Sequence, residues 1–573
     1  MSPSEQVLRI VRVAAAVTTA GAACLTAHAA GAPEAGGGPS GGRSASARSC
    51  EGLATVRLPD TTVSVAETVS SGSFSPPSDK PITGLPAFCR VAGVIRPSAD
   101  SQIEFEVWMP VAGWNRKLQG VGNGGFAGSI SYDGLGRAVT RGYAAASTDT
   151  GHRGPGIDAT WALGHPEKIV DFGHRAIHEM TMKAKAVIEA FYGEAPRRSY
   201  FASCSNGGRQ ALMEAQRYPG DYDGIIAGAP AAAWTTFMAG FVWNAQAMAD
   251  PSAHIPAAKL PAIERAVVAA CDARDGVPDG VLASPAECGF DPRTMACKGA
   301  DSADCLTAPQ AEALAKIYAG PRGRDGKGVA RGFPPGGETG PGGWGLWITG
   351  EAPGRSLQAV FASQFGAHMV FDRPDWDLRT FDFDRDVRIV EEKMAKILNA
   401  TDPDLAAFRR RGGKLILFHG WNDAALAAEA TIDYFEAVRA RLGPEATDSF
   451  VRLYMMPGLQ HCFGGPGAHY CGGLTVPLGD SEHDFSAALE RWVEEGVAPG
   501  TMVAVKPVDE SKPAAGVSQT RPLCPYPRAA VFGGTGRPDD PSAYTCERTP
   551  GGAPGRAGVT GAGSRPGGPG RGR

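Results

Sequence analysis

The segment from Ser199 to Gly208 reads SYFASCSNGG, and it says more about the fold than any other stretch of the chain. A short apolar run ends at a serine, two glycines follow, and a helical pattern begins at Arg209. This order is typical of a nucleophile elbow, in which a strand, a sharp turn carrying Ser205 and a helix follow one another. The neighbours are small because a bulky side chain would clash in such a turn.

Strand and helix patterns alternate on both sides of this segment. Apolar runs typical of strands cover residues 103–109, 117–121, 143–147, 225–226, 415–418 and 451–456. A long helical pattern covers about 171–192, and a second runs from Arg209 to Tyr218, where Pro219 and Gly220 end it. Such alternation predicts an α/β fold with a mostly parallel sheet.

The N-terminus has the pattern of a secretory signal. Arg9 and Arg12 precede an alanine-rich apolar run over 13–25, and the small-x-small triplet Ala27-His28-Ala29 offers a cleavage site. The sequence therefore predicts a signal peptide over 1–29 and a secreted protein, located outside the cell or in the periplasm. A disordered N-terminal extension is the alternative.

Composition divides the rest of the chain. Residues 30–49 read as a Gly/Ser-rich linker and 549–573 as a disordered Gly/Pro/Arg tail. Residues 231–410 interrupt the alternation with a Pro/Gly-rich segment and many tryptophans, so we predict a lid domain there. The catalytic domain is then formed by 50–230 and 411–548.

Charge and cysteine content limit the kinds of binding partner and the cellular compartment that the sequence predicts. The 56 basic and 60 acidic residues give a net charge of −4, which does not favour nucleic-acid binding. No segment after the signal is apolar enough to predict a membrane partner. Twelve cysteines indicate an oxidising compartment. Loss of Cys24 with the signal leaves an odd number, and Cys471 is the predicted unpaired thiol.

Two later strands end in residues that can activate a serine. The strand pattern 415–418 leads into His419-Gly-Trp-Asn-Asp423, and the pattern 451–456 leads into a loop that ends at His461. The chain order Ser, Asp, His is that of α/β-hydrolases. We therefore predict a catalytic triad of Ser205, Asp423 and His461, in which the acid orients the base and the base activates the serine.

His419 is a rival base in the same region. We favour His461 because it follows the last strand and precedes Cys462, and we place His419 in the substrate pocket. A disulfide between Cys204 and Cys462 would tie the nucleophile to its base. Four further pairs are close in sequence and are predicted as disulfides: Cys50–Cys89, Cys271–Cys288, Cys297–Cys305 and Cys524–Cys546.

An acyl-transfer site also needs two backbone N–H groups aimed at the oxyanion. Asn206, directly after the nucleophile, is predicted to supply one of them. The second comes from Gly124 or Gly125 in the early glycine-rich loop, and we favour Gly125. An ordinary turn at the end of a strand is the alternative interpretation of that loop.

Residues 271–281 read CDARDGVPDGV and form a second candidate site. Carboxylates clustered among glycines suit Ca²⁺, which takes oxygen ligands. The proposed ligands are the side chains of Asp272, Asp275 and Asp279 and the backbone carbonyls of Val277 and Val281. A solvated Asp/Gly turn is the alternative from the residues alone.

Taken together, these motifs resemble the tannase and feruloyl esterase family of secreted serine hydrolases. The matching stretches are CS-x-GGRQ over 204–210, HGW-x-D over 419–423, HC at 461–462, PDWD over 374–377, FDFDRD over 381–386 and RPLCPYP over 521–527. The resemblance covers roughly residues 50–548. One departure is Ser203, which stands where the family usually has glycine.

The resemblance implies an α/β-hydrolase fold with an inserted lid that carries calcium, the triad named above and the Cys204–Cys462 disulfide. It also implies hydrolysis of small aromatic esters of the galloyl or feruloyl type, including esters attached to plant polymers. Esters of other kinds, among them aromatic diacid monoesters, and a non-catalytic binding role on the same scaffold are the alternatives. Five lid aromatics are candidates for stacking on the acyl group: Trp344, Trp347, Phe361, Phe365 and Trp376.

Overall fold

The structure is a computed structural model that describes residues 47–77, 80–472, 479–509 and 515–548. The predicted signal peptide over 1–29 and the predicted tail over 549–573 lie outside these residues, as does most of the predicted linker. Among the described residues, no helix combines the length and the apolar character that crossing a membrane requires.

The strands belong to one large sheet and three small hairpins. In chain order they are β1 (Thr61–Val69), β2 (Gly72–Phe74), β3 (Ile82–Leu85), β4 (Phe88–Ile95), β5 (Ile103–Pro110), β6 (Lys117–Val121), β7 (Ala144–Thr148), β8 (Arg198–Cys204), β9 (Gly224–Gly228), β10 (Lys414–Gly420), β11 (Val451–Met456), β12 (Met502–Pro507), β13 (Val517–Leu523), β14 (Arg528–Phe532) and β15 (Tyr544–Arg548).

The large sheet has the order β1-β4-β5-β7-β6-β8-β9-β10-β11. Strands from β7 to β11 in this order are parallel to their neighbours, whereas β1, β4 and β5 extend the sheet with antiparallel pairs. The predicted α/β-hydrolase class is confirmed. Because parallel strands share one carboxyl edge, the loops after β8, β10 and β11 meet there.

Helices cover both faces of this sheet and fill the inserted segment. They are α1 (Tyr132–Thr140), α2 (Pro166–Val170), α3 (Ala176–Tyr192), α4 (Asn206–Arg217), α5 (Trp234–Ala247), α6 (Leu260–Cys271), α7 (Ala308–Ala319), α8 (Leu357–Phe365), α9 (Asp386–Leu398), α10 (Ala406–Arg410), α11 (Glu429–Leu442), α12 (Pro444–Asp448) and α13 (Phe485–Glu495).

The insertion leaves and rejoins the sheet between two adjacent strands. β9 ends at Gly228, β10 begins at Lys414, and the two strands pair directly. An apolar cluster joins the insertion to the sheet domain, with Phe126 at its centre against Trp234 and Phe361. The segment is therefore packed onto the carboxyl edge of the sheet.

Five disulfides are present among the described residues. They join Cys50–Cys89, Cys204–Cys462, Cys271–Cys288, Cys297–Cys305 and Cys524–Cys546, the same five pairs that the sequence predicts. Cys471 is an unpaired, buried thiol.

Candidate active site

Ser205 lies at a strained turn between β8 and α4. Its φ of 65° and ψ of −127° fall where a residue with a side chain rarely lies, so the surrounding structure must hold it there. The helix also passes very close to β9: a Cβ on Gly208 would lie 2.4 Å from the Gly228 carbonyl oxygen. Only glycine allows this approach, which places the serine hydroxyl at the tip of the turn.

Ser203, the departure from the family pattern, fits beneath the elbow. Its hydroxyl occupies the space that a Cβ on Gly207 would take, at 1.9 Å, and lies near the corresponding position of Gly122, at 2.8 Å. Both neighbours are glycines, so the extra side chain is accommodated without moving the turn.

Three side chains form one continuous hydrogen-bonded chain at the carboxyl edge of the sheet. Ser205 Oγ is 2.9 Å from Nε2 of His461, and Nδ1 of the same ring is 2.7 Å from Oδ2 of Asp423. The three residues that the sequence singled out as a triad are thus brought together. With Nδ1–H donating to the carboxylate, Nε2 is left to accept the serine proton.

Asp423 is 3% exposed and surrounded by donors. Its Oδ1 accepts the backbone N–H groups of Ala425 at 2.7 Å and Leu426 at 2.9 Å, and its Oδ2 lies 3.1 Å from Nε2 of His419 as well as next to His461. Burial alone would raise the pKa of Asp423. The charges and hydrogen bonds of the two imidazoles outweigh burial and lower that pKa below its usual value.

The placement of His419 differs from the prediction that it lines the substrate pocket. The residue is 0% exposed, and both ring nitrogens are engaged, Nε2 by Asp423 and Nδ1 by Thr431 Oγ1 at 2.7 Å. No polar atom of the ring is left for a substrate. His419 therefore holds the carboxylate of Asp423, while His461 faces Ser205.

A disulfide joins the residue before Ser205 to the residue after His461. Cys204 and Cys462 are 258 residues apart in sequence, yet their Cα atoms are 6.0 Å apart. Cys462 has a φ of 68°, so the loop that carries His461 also has an unusual backbone conformation at the next residue. Each cysteine adjoins one of the two residues that exchange a proton in the predicted reaction.

The early glycine loop is tied to the elbow helix by amide side chains. Gln210 Nε2 donates to Asn123 Oδ1 at 2.8 Å, its Oε1 accepts from the Asn123 backbone at 3.2 Å, and Asn206 Nδ2 donates to the Asn123 carbonyl at 3.3 Å. Gly125 has a φ of 58°, and a Cβ there would lie 2.2 Å from the Gly156 oxygen. Asn206 is the first residue of α4, so its backbone N–H has no acceptor within the helix. The loop and the helix start thus face the same space, although an oxyanion role for Gly125 and Asn206 remains a prediction.

The insertion brings one aromatic ring directly against His461. The ring of Trp347 lies 5.3 Å from that of His461 in an edge-to-face arrangement, and it stacks on Phe361 at 6.1 Å. The other three aromatic candidates have different neighbours. Trp344 and Phe365 are buried in the insertion, and Trp376 stacks on Phe371.

Two amide residues that the sequence reasoning missed connect the insertion to the site. Asn422 donates to the Gly336 carbonyl and accepts from the Gly458 N–H at 3.1 Å. Gln460 donates to the Thr339 carbonyl at 2.7 Å and accepts from the Gly342 N–H at 3.1 Å. Each amide adjoins a predicted triad residue in sequence, and that adjacency is the signal that could have identified them.

The predicted calcium loop begins at the end of α6. Asp272 Oδ1 is buried without a hydrogen-bond partner, and Asp275 accepts the N–H groups of Val277 and Ala283. Burial raises the pKa of Asp272 and of Asp275, and the charge of Asp279 raises both further. Asp279 also forms an ion pair with Arg521. Val277 and Val281 are buried in the same loop.

Comparison with known proteins assigns the chain to a family. The sequence profile described as tannase and feruloyl esterase matches residues 89–547. This protein belongs to the tannase and feruloyl esterase family. It is accordingly a carboxylic ester hydrolase.

Individual members of the tannase and feruloyl esterase family match over nearly their whole length. An uncharacterized esterase of Xanthomonas campestris is 46% identical, covering 88% of this chain and 92% of the relative. A mono(2-hydroxyethyl) terephthalate hydrolase of Piscinibacter sakaiensis is 32% identical, with 83% and 87% coverage. The crystal structure of feruloyl esterase B from Aspergillus oryzae is 28% identical, with a TM-score of 0.81 and coverage of 87% and 99%.

Proposed function

We propose that this esterase cleaves esters of phenolic acids, of the galloyl or feruloyl type, through an acyl-enzyme formed on Ser205. The observation that carries the proposal is the unbroken hydrogen-bonded chain from Ser205 through His461 to Asp423, at the tip of a strained elbow. A serine hydroxyl is a weak nucleophile, and an adjacent base oriented by an acid is the arrangement that activates it.

The reaction follows from the order of the three side chains in this hydrogen-bonded chain. His461 Nε2 takes the proton of Ser205 as the serine oxygen attacks the ester carbonyl, and Asp423 stabilises the imidazolium that forms. Asn206 and Gly125 donate backbone N–H groups to the oxyanion. The imidazolium then protonates the leaving alcohol. Water, deprotonated by the same ring, releases the acid from the acyl-enzyme.

The aromatic preference rests on Trp347 and Phe361. Trp347 lies beside the base, so a planar acyl group attached to Ser205 is within reach of its indole face. The related proteins named above include a feruloyl esterase and a terephthalate monoester hydrolase, and both substrates carry an aromatic acyl group. An aromatic acyl group is the common requirement that the indole would satisfy.

Calcium is proposed as a structural ion in the insertion. The unpartnered buried oxygen of Asp272 and the raised pKa of Asp275 fit a cation that the loop would hold through Asp272, Asp275 and Asp279 and the carbonyls of Val277 and Val281. When bound, Ca²⁺ would supply charge neutralisation and cross-linking. The loop's own residues fix its ends, since Cys271 is joined to Cys288 and Asp279 to Arg521.

We also propose that the protein is exported from the cytoplasm. Five disulfides, one of them beside the reacting residues, require an oxidising compartment to form. The predicted signal peptide over 1–29 provides the route.

Substitution of the nucleophile tests the mechanism. Ser205→Ala should lower kcat for methyl ferulate by roughly a thousandfold or more with an unchanged melting temperature, because it removes only the attacking hydroxyl. Ser203→Gly, two residues earlier, is the matched control and should keep most of the activity. Near-normal turnover by Ser205→Ala would refute the assignment. A higher kcat/KM for a short aliphatic ester than for methyl gallate or methyl ferulate would refute the phenolic preference alone.

A further inference from the structure

We infer that His178, Glu214 and Asp221 form a binding site for a divalent transition-metal ion, separate from the catalytic residues and from the predicted calcium loop. The three residues come from different elements. His178 lies on α3, Glu214 lies on α4, and Asp221 lies in the turn between α4 and β9. None of them takes part in the proposed reaction.

The ligand atoms of these residues converge on one point. One imidazole nitrogen of His178 and one carboxylate oxygen each from Glu214 and Asp221 all lie within 4.8 Å of one another. His178 Nδ1 is already 2.6 Å from Asp221 Oδ2. Glu214 is 1% exposed, whereas the His178 side chain is 29% exposed, so the cluster is buried on one side and open on the other.

Glu214 is the observation that points to a ligand. Both of its carboxylate oxygens are buried and have no hydrogen-bond partner. The nearby donors point elsewhere: Lys185 Nζ donates to the Asp221 carbonyl, and the Tyr222 hydroxyl pairs with Thr181. A carboxylate removed from water without a partner is strongly destabilising.

Either a proton or a divalent cation can offset the buried negative charge of Glu214 and Asp221. A proton shared between Glu214 and Asp221 would satisfy one Glu214 oxygen and leave the other unpaired. A divalent cation would attract both Glu214 oxygens and neutralise the charges of both carboxylates. It would also use the imidazole nitrogen that faces the same point. We therefore favour the cation over the shared proton.

The donor set selects the class of metal. One imidazole with carboxylate oxygens suits Zn²⁺ and similar first-row ions, whereas Ca²⁺ takes six to eight oxygen ligands. A water molecule would complete the coordination at the open side, next to His178. Glu214 is nine residues after Ser205, which corresponds to about 13 Å along a helix. The ion would therefore cross-link α3, α4 and the turn before β9 without contacting the reacting atoms.

Zinc binding by the full enzyme tests the site. The protein is stripped with a chelator, returned to buffer with excess Ca²⁺ and titrated with ZnCl₂, and bound zinc is counted by elemental analysis after gel filtration. We expect one equivalent of zinc and a higher melting temperature. His178→Ala should weaken zinc binding by at least about tenfold, and Co²⁺ should give ligand-field absorption bands that this variant lacks.

His483→Ala is the matched control, because His483 pairs with the exposed carboxylate of Asp480 and lies outside the cluster formed by His178, Glu214 and Asp221. It should bind zinc as the wild type does. Glu214→Gln should lose the zinc equivalent without becoming less stable in metal-free buffer, because an unpaired buried charge is removed. Undiminished zinc binding in His178→Ala or Glu214→Gln would overturn the site. Failure of the wild type to bind zinc would overturn it in favour of a shared proton.

Discussion

Asp423 and Glu214 are both buried carboxylates with a histidine nearby, yet their surroundings are opposite. The carboxylate of Asp423 accepts hydrogen bonds from two backbone N–H groups and lies within hydrogen-bond distance of two imidazoles. Both carboxylate oxygens of Glu214 lack a hydrogen-bond partner. The pKa of Asp423 is lowered and that of Glu214 is raised, although the two residues are similarly buried. The donors around a carboxylate, more than its depth, decide whether it carries charge.

Glu338 is an intermediate case in the insertion. Its carboxylate accepts hydrogen bonds from the Tyr318 hydroxyl at 2.6 Å and from the Gly336 N–H, and among the described residues it forms no salt bridge. Burial raises its pKa to about 7 despite these bonds. Neutral donors alone therefore leave this carboxylate half ionised near neutral pH.

Removing the charge of Asp423 should give the largest effect. Asp423→Asn keeps the shape but favours the wrong imidazole tautomer, so kcat should fall by about 10⁴-fold. Asp480→Asn changes the exposed aspartate that pairs with His483 and serves as the control, with unchanged kcat. The measurement is steady-state hydrolysis of methyl ferulate. A loss below tenfold would mean that Asp423 is not the orienting acid.

Glu338 should make stability depend on pH near neutrality. Its pKa of about 7 in the folded protein lies above the ordinary glutamate pKa of 4.5, so the folded state binds more protons between these two pH values. Stability should thus fall as pH rises from about 4.5 to 7, by on the order of 3 kcal/mol for this group.

Denaturant unfolding of wild type and Glu338→Gln across this pH window measures the contribution. The stability difference between the two proteins should shift in favour of the variant as pH rises. Glu312→Gln, on the exposed side of α7, should show no such shift. A constant difference for Glu338→Gln would mean that this carboxylate keeps its ordinary pKa.

The calcium loop should become more stable when Ca²⁺ binds, because the buried Asp272 Oδ1 has no hydrogen-bond donor of its own. With Ca²⁺ at about 100 times its dissociation constant, binding would add about 2.7 kcal/mol to the free energy of unfolding. Chelation should lower the melting temperature accordingly, and Asp272→Asn should abolish the response. Asp301→Asn, in the same insertion, is the control. An unchanged melting temperature on chelation and calcium addition would exclude the site.

Much of the sheet follows from local sequence, because its central strands are short, apolar and followed by loops. β6 and β11 have the predicted bounds, and β7 is shifted by one residue. β1 was not predicted, because an edge strand without fully buried residues carries no continuous apolar pattern. The long helical pattern over 171–192 becomes a π-helical turn at Asp171–Arg175 followed by α3.

The candidate site, like the sheet, contains some residues that the sequence could identify and others that it could not. Ser205, Asp423 and His461 could be selected because each follows a strand whose carboxyl end lies at the same sheet edge. His419 was misplaced because the sequence does not show that both of its ring nitrogens are engaged by Asp423 and Thr431. Glu214 could not be found at all, since its missing partners become visible only when α3 and α4 are packed together.

The Cys204–Cys462 bridge also changes what proteolysis can do to this enzyme. Every peptide bond between the two cysteines, including the whole insertion, lies inside a covalently closed ring. A single cut there opens the ring but leaves both fragments in one molecule, with Ser205 and His461 still attached to the same bridge. In a protease-rich environment, a nicked enzyme would keep its reacting residues together.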